Sequence, residues 1–176
     1  ASGLDALSHA LESIWNINRN PVSISLAVQA ARQVIGTLPA LMQDLSSVQL
    51  RGEMAQAALL AGLAFSNTKT ALAHSLSYDI TLHHGVPHCI ACSFSLPQIM
   101  KMALGIDAQV DAALLSIFDT TDPEIAQQRL DGLLQKLGVA TEPAHYGITP
   151  SNWEKWIDKA ANGPRGRNFI RTLGSA

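Results

Sequence analysis

Residues 2–18 read SGLDALSHALESIWNIN, and an apolar side chain recurs in this stretch every three or four positions. The recurring residues are Leu4, Leu7, Leu11, Ile14 and Trp15. This is the period of one face of an α-helix, so the stretch predicts an amphipathic helix whose apolar face lies in a core. Asn20-Pro21 follows and predicts the end of that helix.

The helical period continues through the rest of the chain. Further helices are predicted at residues 23–45, 49–65, 69–84, 88–96, 107–118, 122–138 and 150–161, with a short one at 168–173. We expect Pro39 to break or kink the second helix and Pro97 to interrupt the fifth. The third helix is apolar nearly all round, which is typical of a buried helix. Because no stretch shows a sustained period-two alternation, we predict an all-α fold, a multi-helix bundle.

The composition limits the possible functions. Charged residues make up 15% of the 176 residues, below the roughly 25% of average soluble proteins, so we expect another domain or subunit to cover part of the surface. A net charge of −2 and dispersed basic residues argue against nucleic-acid binding. The longest apolar run, residues 57–65, is too short to span a membrane. With no visible signal peptide and two cysteines, we expect a cytoplasmic protein.

Asp5 and His9 lie one helical turn apart on the first predicted helix. Residues at this spacing share a face, with Cβ atoms about 6 Å apart, so a carboxylate oxygen and an imidazole nitrogen can reach one metal ion. In the structural alternative, Asp5 stabilises the helix N-terminus and His9 is a partly buried core residue. Because such Asp–His pairs are common on helices, this pair taken alone favours the structural alternative.

Residues 73–88, AHSLSYDITLHHGVPH, contain four of the six histidines. His74 precedes Tyr78 by one turn on the same helix face, and a Gly-Val-Pro turn at residues 85–87 can swing His88 back toward that helix. His83 and His84 point apart because they are neighbours on a helix, so we expect them at the surface or beside a site. A polar helix face rich in histidine is the structural alternative, and the spacing alone does not decide between the two.

Together, the two stretches resemble the metal motifs of the iron-containing (group III) alcohol dehydrogenases. Residues 3–12, GLDALSHALE, are similar to the first motif, and residues 73–88 are similar to the second. The resemblance implies the dehydroquinate synthase-like C-terminal type of helix bundle. It also implies an iron or zinc ion held by Asp5, His9, His74 and His88, and one carboxylate with three imidazoles suits either cation.

The same resemblance implies an activity: an NAD- or NADP-dependent alcohol dehydrogenase or aldehyde reductase. In such an enzyme the metal polarises the substrate carbonyl, or stabilises the alkoxide, during hydride transfer. Homo-oligomers are expected in this family. The family's N-terminal nucleotide-binding domain, with its Gly-rich loop, has no counterpart in this sequence. We therefore expect residues 1–176 to be one helical domain, the C-terminal portion of a longer enzyme that is inactive without its other half.

The sequence departs from the family pattern at two positions. Tyr78 stands where the family usually has a histidine that is linked to proton relay. Its hydroxyl can donate and accept a proton, although a packing role is also open. Cys89 stands where the family usually has glycine, and it forms a C-x-x-C spacing with Cys92. A redox or zinc role is possible for this pair, but two small buried apolar residues are the better interpretation.

Alternatives to this function stay open. The chain could be a metal-binding or structural domain without catalysis, or a relative of glycerol dehydrogenase or dehydroquinate synthase, which typically use an acid and two histidines. Residues 75–97 are similar to phosphonoacetaldehyde reductase-like members. Arg165 and Arg167 could then meet an anionic substrate group, although solvation at the surface is the better explanation for two arginines.

Overall fold

The computed structural model describes residues 2–171, and the regular structure of this range is helical. The helices are α1 (Ser2–Ile14), α2 (Pro21–Leu41), α3 (Val48–Thr68), α4 (Leu72–His84), α5 (His88–Ala91), α6 (Leu96–Ala103), α7 (Ala108–Ile117), α8 (Pro123–Lys136) and α9 (Pro150–Asn162). Two short 3₁₀ helices cover Pro143–Tyr146 and Gly166–Asn168. Within the described residues there is no strand, only an isolated bridge between Asn16 and Phe169. The predicted all-α bundle is confirmed.

Helices α1, α2 and α3 pack against one another more extensively than any other helices. The apolar face of α1 supplies Leu7, Leu11 and Ile14 to this contact, and all three are fully buried. Burial of each such side chain stabilises the fold by about 1.5–3 kcal/mol. Helix α1 is thereby held rigidly, and with it Asp5 and His9.

Helix α4 contacts α1, α5, α9 and the 3₁₀ helix at Gly166–Asn168. It ends at Gly85, which has a φ of 65° and donates its N–H to Thr81 O at 3.1 Å. This left-handed conformation costs glycine nothing, so Gly85 can end the helix at the predicted Gly-Val-Pro turn. Helix α5 begins at His88, directly after the turn.

A break of the second helix at Pro39 and an interruption of the fifth at Pro97 were both expected, and neither is found. Helix α2 continues through Pro39 and ends at Leu41, short of residue 45. Pro97 does not interrupt a helix: residues 92–95 form a turn after the single-turn α5, and Pro97 lies in the first turn of α6. A proline suits that position because the first N–H groups of a helix have no partner within the helix.

The expectation that α3 is buried was also wrong. Its alanines Ala57, Ala61 and Ala64 are fully buried, but Leu59 is 62% exposed and Leu63 is 46% exposed. The small alanine side chains allow neighbouring helices to pack closely against one face of α3, while Leu59 and Leu63 lie on its exposed face. The apolar composition of the helix therefore did not mean that all of its faces are buried. A short helix was predicted at 168–173. In the structure Asn168 is the last residue of a 3₁₀ helix, and residues 172–173 lie outside the described range. No described helix is long and apolar enough to cross a membrane.

Candidate metal centre

The fold brings the predicted metal ligands together around the carboxylate of Asp5. Its Oδ1 atom lies 3.4 Å from His74 Nε2 and 3.7 Å from His88 Nε2. Its Oδ2 atom lies 3.9 Å from His9 Nδ1. Helix α1 supplies Asp5 and His9, the first turn of α4 supplies His74, and the start of α5 supplies His88. One carboxylate therefore faces a nitrogen of each of three imidazoles.

The orientation of His74 is fixed by Glu12, a buried carboxylate to which the sequence analysis gave no role. Glu12 accepts hydrogen bonds from His74 Nδ1 at 2.7 Å, from His74 N at 3.1 Å and from Ala71 N at 2.9 Å. Its side chain is fully buried. Glu12 lies seven residues, or about two turns, after Asp5 on the same face of α1. That spacing was the signal that could have found it.

The hydrogen bond to Glu12 determines which nitrogen of His74 is available. A carboxylate can only accept, so Nδ1 carries the proton, and Nε2 of the neutral ring presents a lone pair. Nε2 is buried and has no hydrogen-bond partner among the described residues, although it faces Asp5 Oδ1. Two acceptors that face each other in a buried place need a proton or a cation between them. The donor set thus fits a divalent metal.

The electrostatics of this pair describe the centre without a metal. Burial disfavours a charged His74 ring, but the carboxylates of Asp5 and Glu12 outweigh it and raise the pKa of His74 to about 9. His74 beside Asp5 in turn lowers the pKa of that carboxyl to about 2. Without a metal, a proton therefore lies on His74 Nε2 and faces an ionised Asp5.

His88 is oriented in a similar way by Ser77. The Ser77 hydroxyl donates its proton to His74 O at 2.8 Å, so its oxygen is left to accept from His88 Nδ1 at 3.4 Å. That bond places the proton of a neutral ring on Nδ1 and leaves Nε2 facing Asp5. His88 is thereby presented to the same point as His74.

His9 lies at the side of the centre and is not among the four residues whose ligand atoms lie within 4.8 Å of one another. Its ring stacks between Phe65 and His74, with centroid distances of 4.2 and 4.5 Å. Burial, followed by the charge of His74, lowers the pKa of His9. The neutral ring, which is the form that binds metals, is therefore favoured.

Cys92 is a neighbour of this cluster that the sequence analysis did not include among the ligands. One ligand atom each from Asp5, His74, His88 and Cys92 lies within 4.8 Å of the others. Burial raises the pKa of the Cys92 thiol to about 12, so the group is a neutral thiol, which donates toward Asp5 Oδ1 at 3.6 Å. That protonation state describes the centre without a metal, because a metal ion bound to a cysteine displaces the thiol proton. Cys89 and Cys92 do not form a disulfide with each other. Cys92 is fully buried but Cys89 is only partly buried, so the expectation that both are buried was right for Cys92 alone.

Tyr78 lies at the mouth of the site, one turn after His74. Its side chain is 49% exposed, and its ring centroid is 6.4 Å from that of His88. The guanidinium of Arg165 covers the ring at 5.0 Å from its centroid. His83 and His84 point elsewhere and contact Trp156. Tyr78 therefore borders the centre, whereas the two adjacent histidines lie outside it.

Comparisons with known proteins agree with this geometry. The family model described as "Fe-containing alcohol dehydrogenase family, C-terminal" matches residues 1–172. A 1,3-propanediol dehydrogenase from Klebsiella pneumoniae is 35% identical over 104 residues, which are 59% of this chain and 27% of that protein. A sulfoacetaldehyde reductase from Bilophila wadsworthia is 25% identical over 169 residues, which are 90% of this chain and 44% of that protein.

A solved structure shares the fold. The sulfoacetaldehyde reductase from Bifidobacterium kashiwanohense, described in complex with NAD+, superposes with a TM-score of 0.87 at 25% identity. The superposition covers 98% of this chain and 46% of that protein. The chain thus spans less than half the length of each of these relatives. Because the family model matches almost all of the sequence, the chain belongs to the iron-containing alcohol dehydrogenase family and corresponds to its C-terminal part.

Proposed function

We propose that this chain is the metal-binding half of an NAD- or NADP-dependent alcohol dehydrogenase or aldehyde reductase. Asp5, His9, His74 and His88 would hold one divalent cation, iron or zinc. Such a cation, when bound, supplies a Lewis acid that polarises a carbonyl or stabilises an alkoxide. Hydride would pass between the substrate and a nicotinamide held largely by a nucleotide-binding half.

The observation that carries this proposal is the convergence of three imidazole nitrogens on one carboxylate. His74 Nε2, His88 Nε2 and His9 Nδ1 lie 3.4, 3.7 and 3.9 Å from the oxygens of Asp5. Glu12 accepts the Nδ1 proton of His74 and thereby turns Nε2 toward that carboxylate. The arrangement of a carboxylate that orients a metal-binding histidine is common in metal sites.

We assign Tyr78 as the residue that moves a proton to or from the substrate oxygen. Its hydroxyl is chemically suited to this role, and a side chain that is 49% exposed is not a core packing residue. Tyr78 lines the same open cleft as His9 and His74. A substrate oxygen at the centre would therefore lie close to this side chain.

The nucleotide-binding half and the assembly are part of the proposal as well. The chain spans 46% of a relative described in complex with NAD+, which leaves room for a second domain of similar size. Exposed leucines on α3 such as Leu59 are suited to contact that domain or another subunit. The names of the relatives include a diol and a sulfonated aldehyde as substrates, so family membership leaves the substrate class open.

The test uses the full-length protein that contains this chain, purified without oxygen, stripped by a chelator and reloaded with iron or zinc. We expect NADH or NADPH oxidation with an aldehyde only after reloading. Tyr78→Phe should lower kcat by about 10²-fold, the lower range for loss of a general acid. Tyr146→Phe is the matched control, because that hydroxyl donates to Ala140 O away from the centre. A fully loaded protein that oxidises neither cofactor with any aldehyde of a broad panel would favour the non-catalytic alternative.

A further inference from the structure

An open cleft of about 490 Å³ lies beside the candidate metal centre. It is lined by His9, Phe65, Lys69, Thr70, His74, Tyr78, Pro164, Arg165 and Asn168. Two of these residues, Lys69 and Arg165, are cations, and none is a carboxylate. Within residues 2–171, no carboxylate lies within 4.0 Å of either cation. The cleft therefore presents uncompensated positive charge next to two of the proposed metal ligands.

Lys69 has a backbone conformation that glycine would adopt more easily. Its φ of 68° and ψ of 173° belong to a region that is essentially restricted to glycine, because a Cβ atom is strained there. The surrounding residues hold the segment firmly. Asn16 Nδ2 donates to Lys69 O at 3.2 Å, Thr68 Oγ1 donates to the same oxygen at 3.0 Å, and Asn168 Nδ2 donates to Thr70 O at 2.8 Å. A strained lysine fixed at the rim of a cleft indicates a use for its side chain.

Arg165 is also held in place at this cleft. Its guanidinium covers the Tyr78 ring at 5.0 Å from the centroid, a cation–π contact. The next residue, Gly166, is fully packed on the end of α9, where a Cβ atom would overlap the backbone of Ala160. The turn that carries Arg165 is therefore fixed against α9, and it places the guanidinium over Tyr78 of α4.

From these observations we infer that Lys69 and Arg165 form a subsite for an anionic group on the substrate, such as a phosphonate, sulfonate or carboxylate. Arginine can contact such a group through two parallel N–H donors, while lysine supplies a point charge and Thr70 a hydroxyl. The reacting end of the substrate would then lie toward His9 and His74. This inference rests on the proposed function, because it names the substrate class of that same site.

The test measures binding of methylphosphonate, an anion without a reacting carbonyl, to the full chain by ³¹P NMR titration. Titrations are run on zinc-loaded and metal-free protein, because the subsite should bind the probe in both, whereas direct coordination to zinc requires the metal. Lys69→Met and Arg165→Met should each weaken binding about tenfold, which is the low end for a charged hydrogen bond. Lys69→Gly, which relieves the backbone strain, should weaken binding equally while remaining folded.

Arg167→Met is the matched control. Arg167 lies on the same turn, but its Nε donates to Asn162 O, and it does not line the cleft. Its substitution should leave the probe affinity within twofold of wild type. Equal affinities in Lys69→Met, Arg165→Met and wild type would overturn the subsite. The subsite would also be overturned if Lys69→Met and Arg165→Met lost affinity for ADP-ribose but kept their affinity for methylphosphonate. The two cations would then bind the dinucleotide rather than the substrate. Zinc content, measured in every sample, reports on the proposed metal centre separately.

Discussion

Replacement of Glu12 by glutamine tests how the buried carboxylate organises the centre. Glu12 Oε2 accepts from Ala71 N and His74 Nδ1, and Oε1 accepts from His74 N. Glutamine has the same shape but only one acceptor oxygen, so its NH₂ group must face an N–H donor. One buried donor loses its partner, and the remaining hydrogen bonds lose the charge on the acceptor. Together these changes should lower the free energy of unfolding of the metal-free chain by about 2–4 kcal/mol.

The same substitution should weaken metal binding by about 10–100-fold, the usual effect of removing a residue that orients a metal ligand. The affinity is measured by competition for zinc against a chelator of known affinity, and stability by urea denaturation. Glu154→Gln is the control, because Glu154 is exposed on α9 and is not part of the cluster. If Glu12→Gln bound zinc within twofold of wild type, the claim that the negative charge of Glu12 strengthens metal binding by His74 would be refuted.

Three further predictions follow from the same geometry. The pKa of His74 is raised from 6.5 to about 9 in the folded chain. Its contribution to the stability of the metal-free chain is therefore complete below pH 6.5 and is lost as the pH rises through 9. Urea denaturation should show a lower free energy of unfolding at pH 9.5 than at pH 6, and equal stabilities would contradict the prediction. On the proposed ligand set, His9→Ala should weaken zinc binding while Cys92→Ser should not. The reverse order would replace His9 by Cys92 in the ligand set, and retention in both would favour the relatives with three ligands. Lys69→Gly should raise the free energy of unfolding by about 1 kcal/mol through relief of strain, and a loss of stability would show that the lysine side chain supports the fold.

Much of the fold was predictable because it depends on local patterns. The apolar period of Leu7 and Leu11 identifies the buried face of α1, and Gly85 marks the end of α4. The failures have a common cause, which is that local composition does not report tertiary contacts. Leu59 has the same apolar character as a core residue, yet it is 62% exposed among the residues that the structure describes. Likewise, a proline such as Pro97 can either interrupt a helix or lie in its first turn. The turn at residues 92–95, which the sequence did not reveal, places Pro97 in the first turn of α6.

The site could be predicted only in part for the same reason. The four-residue step from Asp5 to His9 is a local signal, whereas the meeting of both with His74 and His88 depends on how α1 packs against α4 and α5. Without the family resemblance, spacing alone left structural alternatives open. Glu12 was visible on the same helix face as Asp5, but its three hydrogen bonds to residues 71 and 74 were not.

The central claim is that one divalent cation lies between Asp5 and the three imidazoles. The direct measurement is the metal content of the anaerobically purified chain, by mass spectrometry, after iron and zinc have been supplied. We expect about one metal per wild-type chain, retention in His83→Ala, whose histidine lies outside the cluster, and loss in His74→Ala and His88→Ala. Absence of metal from the wild-type chain, or retention of a full equivalent in His74→Ala, would contradict the account.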